Sequence, residues 1–299
     1  MNVLVTGSSG FIGSALIPLL VEEGHSIVRL VRRQPSPDGN EVRWNPEAGS
    51  IDADSLSGIE AAVHLAGENL ADKRWTPEQK ARVRDSRVNG TRLLAETLAQ
   101  LEPRPKVLVC ASAVGYYGDR GDEVLTEDSA PGEDFLAEVT EAWEAAAQPA
   151  TQAGIRVVNL RSAMTLDPAG GPLKRMLPPF KMGLGGKLSS GRQFMSWVSL
   201  RDSIRAFHHA LITDALDGPV NVSSPNPGTN ADFTKALGRA LSRPALFIVP
   251  PFVLRIMFGE VADSLLGSAR MEPSKLLATG FAFQHTELES ALREMLKKS

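Results

Sequence analysis

The sequence is poor in the features that mark several large classes of protein. It has one cysteine in 299 residues, 6% aromatic residues and a formal charge of only −3. A single cysteine, Cys110, excludes an intramolecular disulfide and therefore any small disulfide-stabilised fold. Proteins that bind nucleic acid through its phosphates usually carry a basic excess, which is missing here. We therefore expect no nucleic-acid partner.

Long hydrophobic runs are also missing. The longest nearly apolar stretch, residues 244–258, is too short to span a bilayer and is interrupted by Pro250, Pro251 and Arg255. We expect this stretch to lie in the core, and we expect no membrane partner. The first strand-like run begins at Asn2, which leaves no room for a signal peptide and predicts a cytoplasmic location.

What the sequence does contain is a regular alternation of short β-branched runs and longer helical patterns. This alternation predicts an α/β fold, a Rossmann doubly wound parallel sheet with a smaller, partly helical C-terminal substrate lobe. The Rossmann domain is expected over residues 1–163 and 201–224, and the lobe over 164–200 and 225–299. The predicted strands are 3–6, 26–31, 61–66, 106–111, 155–160 and 218–222, and the predicted helices are 11–23, 77–101, 134–153 and 200–213.

A glycine-rich loop stands between the first predicted strand and the first predicted helix. Gly7, Gly10 and Gly13 are spaced as G-x-x-G-x-x-G. The first glycine permits a tight turn, the second lets the backbone approach a pyrophosphate, and the third allows close helix–sheet packing. Free N–H groups at the start of the helix would face the anion. The loop therefore predicts a dinucleotide-binding site.

The end of the second predicted strand indicates which dinucleotide is bound. An acidic residue there would bind the ribose 2′-hydroxyl of NAD, whereas an arginine accommodates the 2′-phosphate of NADP. This chain has Val31, Arg32 and Arg33 at that place and no acidic residue before Asp38. NADP(H) is the predicted cofactor, unless the two arginines are only solvated loop cations.

Further segments resemble the extended short-chain dehydrogenases/reductases, the NAD(P)-dependent epimerase/dehydratase family. They are residues 64–67 (HLAG), 89–91 (NGT) and 111–118 (ASAVGYYG). More narrowly, residues 74–77 (RWTP), 185–197 (GGKLSSGRQFMSW), 224–227 (SPNP) and 229–241 (TNADFTKALGRAL) are similar to the YfcH-like branch of epimerase family proteins. That branch carries a C-terminal segment, here from about residue 249, whose role is unknown.

The resemblance implies roles for individual residues. It implies that Ser112 orients the reacting oxygen at the centre of the active site. Fourteen residues are expected to bind the cofactor: Gly7, Ser9, Gly10, Phe11, Ile12, Gly13, Val31, Arg32, Arg33, Leu65, Ala66, Gly67, Arg87 and Ser112. The alternative for Ser112 is a hydroxyl that only bonds nearby protein groups.

The sequence departs from the superfamily at the catalytic pair. A tyrosine and a lysine four residues later usually share a helix face, where the ammonium group lowers the pKa of the phenol. The only tyrosines here are Tyr116 and Tyr117, and no Tyr-x-x-x-Lys occurs. Either tyrosine is the candidate proton donor, with Arg120 or Lys174 as the cation. The alternatives are Glu138 or Glu141 as a base, hydride transfer with a solvent proton, or cofactor sensing without chemistry.

The predicted function is an NADP(H)-dependent oxidoreductase or epimerase. Its substrate is expected to be small and polar, such as a nucleotide sugar, and the alternative is a non-catalytic NADP(H)-binding redox sensor. Lys174, Arg192 and Trp197 are the candidate substrate residues, because a guanidinium suits a phosphate or carboxylate and an indole suits a ring face. No metal-ligand spacing is present. The wider family implies a homodimer formed through helices 77–101 and 134–153.

Overall fold

The computed structural model describes residues 1–36, 39–70 and 73–297. The chain divides into two compact units. The first unit comprises residues 1–113, 138–161 and 204–220, and the second comprises 114–137, 162–203 and 221–299. The second unit holds nearly as many residues as the first, and it includes 114–137, which the sequence placed in the Rossmann domain. Among the described residues, no helix is both long and apolar enough to cross a membrane.

The strands are short and lie throughout the chain. They are β1 (Asn2–Thr6), β2 (Ser26–Val31), β3 (Glu41–Asn45), β4 (Ser50–Ile51), β5 (Ala61–His64), β6 (Val107–Ala113), β7 (Val124–Leu125), β8 (Arg156–Ser162), β9 (Met164–Leu166), β10 (Gly186–Leu188), β11 (Phe194–Met195), β12 (Trp197–Ser199), β13 (Gly218–Val222), β14 (Gly228–Thr229), β15 (Phe247–Val249) and β16 (Arg270–Met271).

The helices alternate with these strands. They are α1 (Phe11–Glu22), α2 (Pro77–Gln100), α3 (Phe135–Ala145), α4 (Gln148–Gln152), α5 (Gly171–Lys181), α6 (Leu200–Ile212), α7 (Asn230–Leu241), α8 (Pro251–Phe258), α9 (Val261–Leu266), α10 (Ser274–Ala278) and α11 (Leu288–Lys297). Short 3₁₀ turns span Ala53–Leu56 and Val114–Tyr117.

The main sheet has the strand order β13-β8-β6-β5-β1-β2-β3-β4. Strands β6, β5, β1, β2 and β3 pair in parallel, and β4 pairs antiparallel with β3. The order runs in opposite directions on the two sides of β1 and β5, as it does at the switch point where dinucleotides bind in doubly wound sheets. The predicted Rossmann fold is confirmed, and the strand predicted over 218–222 does join this sheet.

Each unit has its own hydrophobic core. In the first unit Leu4, Trp44, Leu94 and Leu108 are almost completely buried in one cluster. In the second unit the corresponding cluster includes Leu173, Phe180, Trp197, Phe233 and Leu292. Cys110 is also buried, and burial raises the pKa of its thiol to about 12.

Two predicted segments differ from the structure. The helix predicted over 134–153 is divided into α3 and α4, because Pro149 has no N–H to donate and its ring disfavours the preceding helical turn. Residues 244–258 are not a core segment, because Leu246, Phe252 and Ile256 are each more than 60% exposed. Apolar composition alone could not reveal that this stretch lies at the surface.

Candidate functional site

The glycine-rich loop joins β1 to α1 at the carboxyl end of the main sheet. Gly7 adopts a φ of 65°, and a Cβ on it would lie 2.8 Å from the carbonyl carbon of Leu65. A Cβ on Gly13 would lie 2.3 Å from the carbonyl oxygen of Gly7. Both positions therefore require glycine, the first for the turn after β1 and the second for packing α1 against that turn.

The N-terminus of α1 presents backbone donors to this loop. Gly10 is the N-cap residue, no side chain caps the helix, and the first turn contains no acidic residue. The unpaired N–H groups and the helix dipole together favour an anion at this position. Ser9, Phe11 and Ile12 belong to the same turn and start of the helix, so the predicted pyrophosphate residues are adjacent in the structure.

A buried hydrogen-bond network fixes the neighbouring turn after β5. Thr6 Oγ1 accepts hydrogen bonds from the backbone N–H groups of Leu65 (3.0 Å) and Ala66 (3.2 Å). The same oxygen lies 2.8 Å from His64 Nδ1, so the hydroxyl hydrogen of Thr6 is donated to that nitrogen. Burial lowers the pKa of His64 to about 4, which keeps the imidazole neutral. Thr6 and His64 thus hold residues 65–67 beside Gly7.

The cations predicted to select NADP lie at the end of β2. Arg33 forms an ion pair with Glu41 (2.6 Å), whereas Arg32 is exposed. The pKa of Glu41 is lowered by a hydrogen bond from the Ser36 N–H and by Arg33. On the adjacent strand, Arg43 pairs in register with Val31. Arg32 directly follows β2, and Arg43 lies on the neighbouring strand β3.

Arg87, on α2, is a buried cation in contact with the turn after β5. Its guanidinium donates hydrogen bonds to the carbonyl oxygens of Glu68 (3.0 Å) and Val83 (3.1 Å) and lies 5.1 Å from the centroid of the Trp143 ring. A Cβ on Gly67 would lie 3.5 Å from Arg87 Cζ. Burial lowers its pKa to about 10, so it remains charged at neutral pH. These contacts brace the loop at residues 67–68.

Ser112 belongs to a buried triad with Glu144 and Arg161. Its hydroxyl donates a hydrogen bond to Glu144 Oε1 at 2.5 Å. Arg161 binds the same carboxylate through two nitrogens, with Nε 2.9 Å from Oε1 and Nη2 2.8 Å from Oε2. The Arg161 side chain is 3% exposed and that of Glu144 is 12% exposed. The Ser112 hydrogen is committed to Glu144, so its oxygen can accept a further hydrogen bond but cannot also polarise a substrate carbonyl.

The two candidate tyrosines have different environments in the second unit. Tyr117 is completely buried, and its hydroxyl lies 2.6 Å from Asn221 Oδ1 and 3.0 Å from the carbonyl oxygen of Thr126. This phenol is a packing residue, contrary to the proton-transfer role considered for it. Tyr116 is half-buried and packs edge-on against Tyr117, with ring centroids 5.2 Å apart.

The carboxylate alternatives on α3 are both solvated. Glu138 and Glu141 are exposed, so neither has the desolvated environment that a carboxylate general base needs. Phe135 and Val139 occupy the helix where the resemblance would place the catalytic pair, and neither can transfer a proton.

The predicted substrate residues do not share one environment. Lys174 on α5 and Arg192 in the loop before β11 are exposed. Trp197 is fully buried among Leu173, Phe180 and Phe233, because it lies on β12 in the core of the second unit. Its ring therefore cannot form the substrate platform that the sequence suggested.

Comparison with known proteins shows the family of the chain. Residues 3–223 match the model of the NAD dependent epimerase/dehydratase family. The chain belongs to that family. Residues 249–295 match a domain of unknown function. An epimerase family protein of Mycobacterium tuberculosis is 45% identical over 291 residues, which cover 97% of this chain and 96% of that protein.

Solved structures of similar proteins agree with the fold. The crystal structure of the human epimerase family protein SDR39U1 with NADPH has a TM-score of 0.91 and 34% sequence identity, and the match covers 100% of both chains. The structure of a nucleoside-diphosphate sugar epimerase from Corynebacterium glutamicum has a TM-score of 0.81 and 36% identity, over 99% of this chain and 58% of that one.

Four functional residues of this epimerase/dehydratase family member were missed by sequence reasoning. Thr6 and Arg43 lie in ordinary strand patterns, and nothing in their spacing indicates that Thr6 binds the turn after β5 or that Arg43 pairs in register with Val31. Glu144 and Arg161 are 17 residues apart and meet only because α3 packs on β8. The one available signal was that Arg161 interrupts an apolar strand, where a charge needs a partner.

Proposed function

We propose that the first unit binds NADP(H). The observation that carries this proposal is the space at Gly7 and Gly13, which any Cβ would fill, beside the uncapped N-terminus of α1. The pyrophosphate is assigned to this loop and the 2′-phosphate to Arg32, with Arg43 beside it. The human relative whose structure contains NADPH supports the same cofactor.

We further propose that the protein is an oxidoreductase or epimerase of a small polar substrate with nucleotide-sugar-like chemistry. When bound, NADP(H) supplies or accepts a hydride. Ser112 Oγ, whose hydrogen is held by Glu144, would accept a hydrogen bond from a substrate hydroxyl and orient it. Tyr116 is the remaining phenol for proton transfer, since the hydroxyl of Tyr117 is bound inside the core. The exposed cations Lys174 and Arg192 are assigned to anionic groups of the substrate.

One observation favours a second candidate, a redox sensor that binds NADP(H) without chemistry. The hydroxyl hydrogen of Ser112 is held by a carboxylate, and no Tyr-x-x-x-Lys pair replaces it. A sensor needs the cofactor loop but no proton-relay group. The two candidates therefore share cofactor binding and differ only in turnover.

Calorimetry with NADPH and NADH tests the shared part of the proposal. We expect NADPH to bind at least about tenfold more tightly than NADH, and Arg32→Ala to remove this preference, because a charge-assisted hydrogen bond contributes about 1.5–3 kcal/mol. Arg104→Ala is the matched control. Arg104 precedes β6, so it lies at the amino ends of the parallel strands, whereas the glycine-rich loop lies at their carboxyl ends. Failure of both nucleotides to bind would refute the assignment of the glycine loop.

Turnover separates the two candidates. Loaded protein is incubated with a panel of nucleotide sugars and small carbonyl compounds, while NADPH absorbance and sugar interconversion are followed. Turnover that is reduced by Ser112→Ala and Tyr116→Phe, with NADPH affinity retained, supports the enzyme. Tight NADPH binding without turnover of any compound supports the sensor.

A further inference from the structure

The second unit exposes a large apolar surface where the sequence predicted core. Six side chains are each more than half exposed, and we call them the 246–257 patch: Leu246, Phe247, Ile248, Phe252, Ile256 and Met257. Scattered exposed apolar residues are common, but a concentration within twelve positions is typical of an interaction surface. We therefore expect that a partner covers the patch.

Local structure explains why these side chains face outward. Strand β15 pairs only with β10 among the described residues, and this two-stranded sheet exposes Phe247 and Ile248 on successive positions. Helix α8 then starts after Pro250 and buries Leu254, which is 4% exposed. Phe252 and Ile256, four positions apart, lie together on the opposite face. In α8, Leu254 thus packs into the core, while the apolar side chains of Phe252 and Ile256 remain exposed.

The charged residues within the segment that carries the patch are all basic. Residues 233–259 contain four Lys or Arg and no Asp or Glu. Three of these cations, Lys235, Arg239 and Arg243, line a shallow groove together with Leu246. These basic groups therefore adjoin the patch at Leu246.

Three of the four cations have acidic neighbours from outside this segment. Arg239 pairs with Glu289 (3.1 Å), Arg255 pairs with Asp263 (3.0 Å), and Lys235 interacts with Asp232, three residues earlier in α7. Both arginine pairs are exposed, and such pairs contribute little, so they do not prevent the arginines from meeting another anion. Arg243 forms no ion pair among the described residues, so the surface retains positive charge there.

We propose that the 246–257 patch docks the protein peripherally on an anionic lipid bilayer. Apolar side chains beside lysine and arginine are the combination that binds the headgroup boundary, where the rings enter the acyl region and the cations meet lipid phosphates. A second copy of the chain fits less well, because a two-fold interface would bring the same cations of both copies together. This proposal differs from the expectation, drawn from the short and interrupted apolar stretch, of no membrane partner.

Vesicle flotation tests the proposal on the full chain. The vesicles are phosphatidylcholine alone and phosphatidylcholine with phosphatidylglycerol at a 2:1 ratio. We expect binding only to the anionic vesicles and its reduction by 0.5 M NaCl. A Phe252→Trp variant gives a second readout, since Trp44, Trp75, Trp143 and Trp197 lie outside the patch. Its emission should shift to the blue on the anionic vesicles.

Two double variants separate the apolar and charged parts. Phe252→Ser with Ile256→Ser should abolish flotation, and Lys235→Glu with Arg243→Glu should weaken it at least about tenfold, since each cation near such a surface contributes about fivefold in affinity. Val21→Ser, at an exposed apolar position on α1, and Arg82→Glu with Arg104→Glu are the matched controls and should bind normally.

Three results would overturn the proposal. One is no flotation with anionic vesicles at low salt, and another is flotation that both double variants retain. The third is a mass of two chains in light scattering that falls to one in the Phe252→Ser, Ile256→Ser variant, which would make the patch an interface between copies. Unchanged circular dichroism and melting temperature of each variant show that a loss of binding is not a loss of folding.

Discussion

The buried triad of Ser112, Glu144 and Arg161 makes a sharp prediction about stability. Glu144→Gln keeps the size of the side chain and its acceptor oxygen but removes the charge that compensates Arg161. The Arg161 side chain is 3% exposed, so its guanidinium would stay buried after losing the carboxylate that it binds through two nitrogens. Breaking a buried pair in this way costs about 3–5 kcal/mol. Because the amide oxygen of the variant side chain can still accept one N–H, we expect the lower end, about 3 kcal/mol.

Urea unfolding measures this loss. With a slope of about 2–3 kcal/mol/M, the midpoint should fall by about 1 M. Combining Glu144→Gln with Arg161→Met should restore part of the loss, because the double variant has no uncompensated buried charge. A loss below about 1 kcal/mol for Glu144→Gln, or a double variant less stable than the single one, would refute the view that the pair is buried and coupled.

Three further predictions follow from other contacts. Gly13→Ala should weaken NADPH binding at least about tenfold in calorimetry, because its Cβ would lie 2.3 Å from the Gly7 carbonyl oxygen. Gly90→Ala should not weaken it, because a Cβ there would make only ordinary contacts, with Trp44 at 3.7 Å and Pro46 at 3.9 Å. Tyr117→Phe should lower the free energy of unfolding by about 1–2 kcal/mol, since Asn221 Oδ1 loses its buried donor. An unchanged urea midpoint would contradict this. Burial lowers the pKa of His64 from 6.5 to about 4, so the unfolded chain takes up the extra proton first and stability falls as the pH drops through this window. Between pH 7 and pH 5 the loss from His64 is about 2 kcal/mol, and His64→Gln should lack this part of the pH dependence.

The sheet could be predicted from the sequence because its strands are buried on both faces. β2 spans the six residues predicted, and β1, β5, β6 and β8 differ from their predicted bounds by one or two residues at an end. Strand β3, next to the edge strand β4, was missed, since only Val42 and Trp44 of its residues are buried. Residues 244–258 were misassigned, because composition does not say which partner covers an apolar segment.

The candidate site was predictable only where the backbone itself forms it. Glycine positions follow from local geometry, so Gly7, Gly10 and Gly13 could be assigned from their spacing. The environment of Ser112 depends on Glu144 and Arg161, which come from separate elements, and that of Tyr117 depends on Asn221, more than one hundred residues away. Such long-range pairs carry no local sequence signal, which is why the catalytic assignments changed and the cofactor loop did not.

The division of the chain also governs how it can be synthesised and dissected. Each unit is assembled from three separate segments, and the first is closed only by residues 204–220. A ribosome that has released residues 1–113 has therefore produced β1, β2, β5 and β6 without α3 or α6. Neither unit can be expressed as one uninterrupted fragment. The strands of the first unit therefore stay uncovered until about two thirds of the chain has been synthesised. We expect folding to be slow and helped by chaperones.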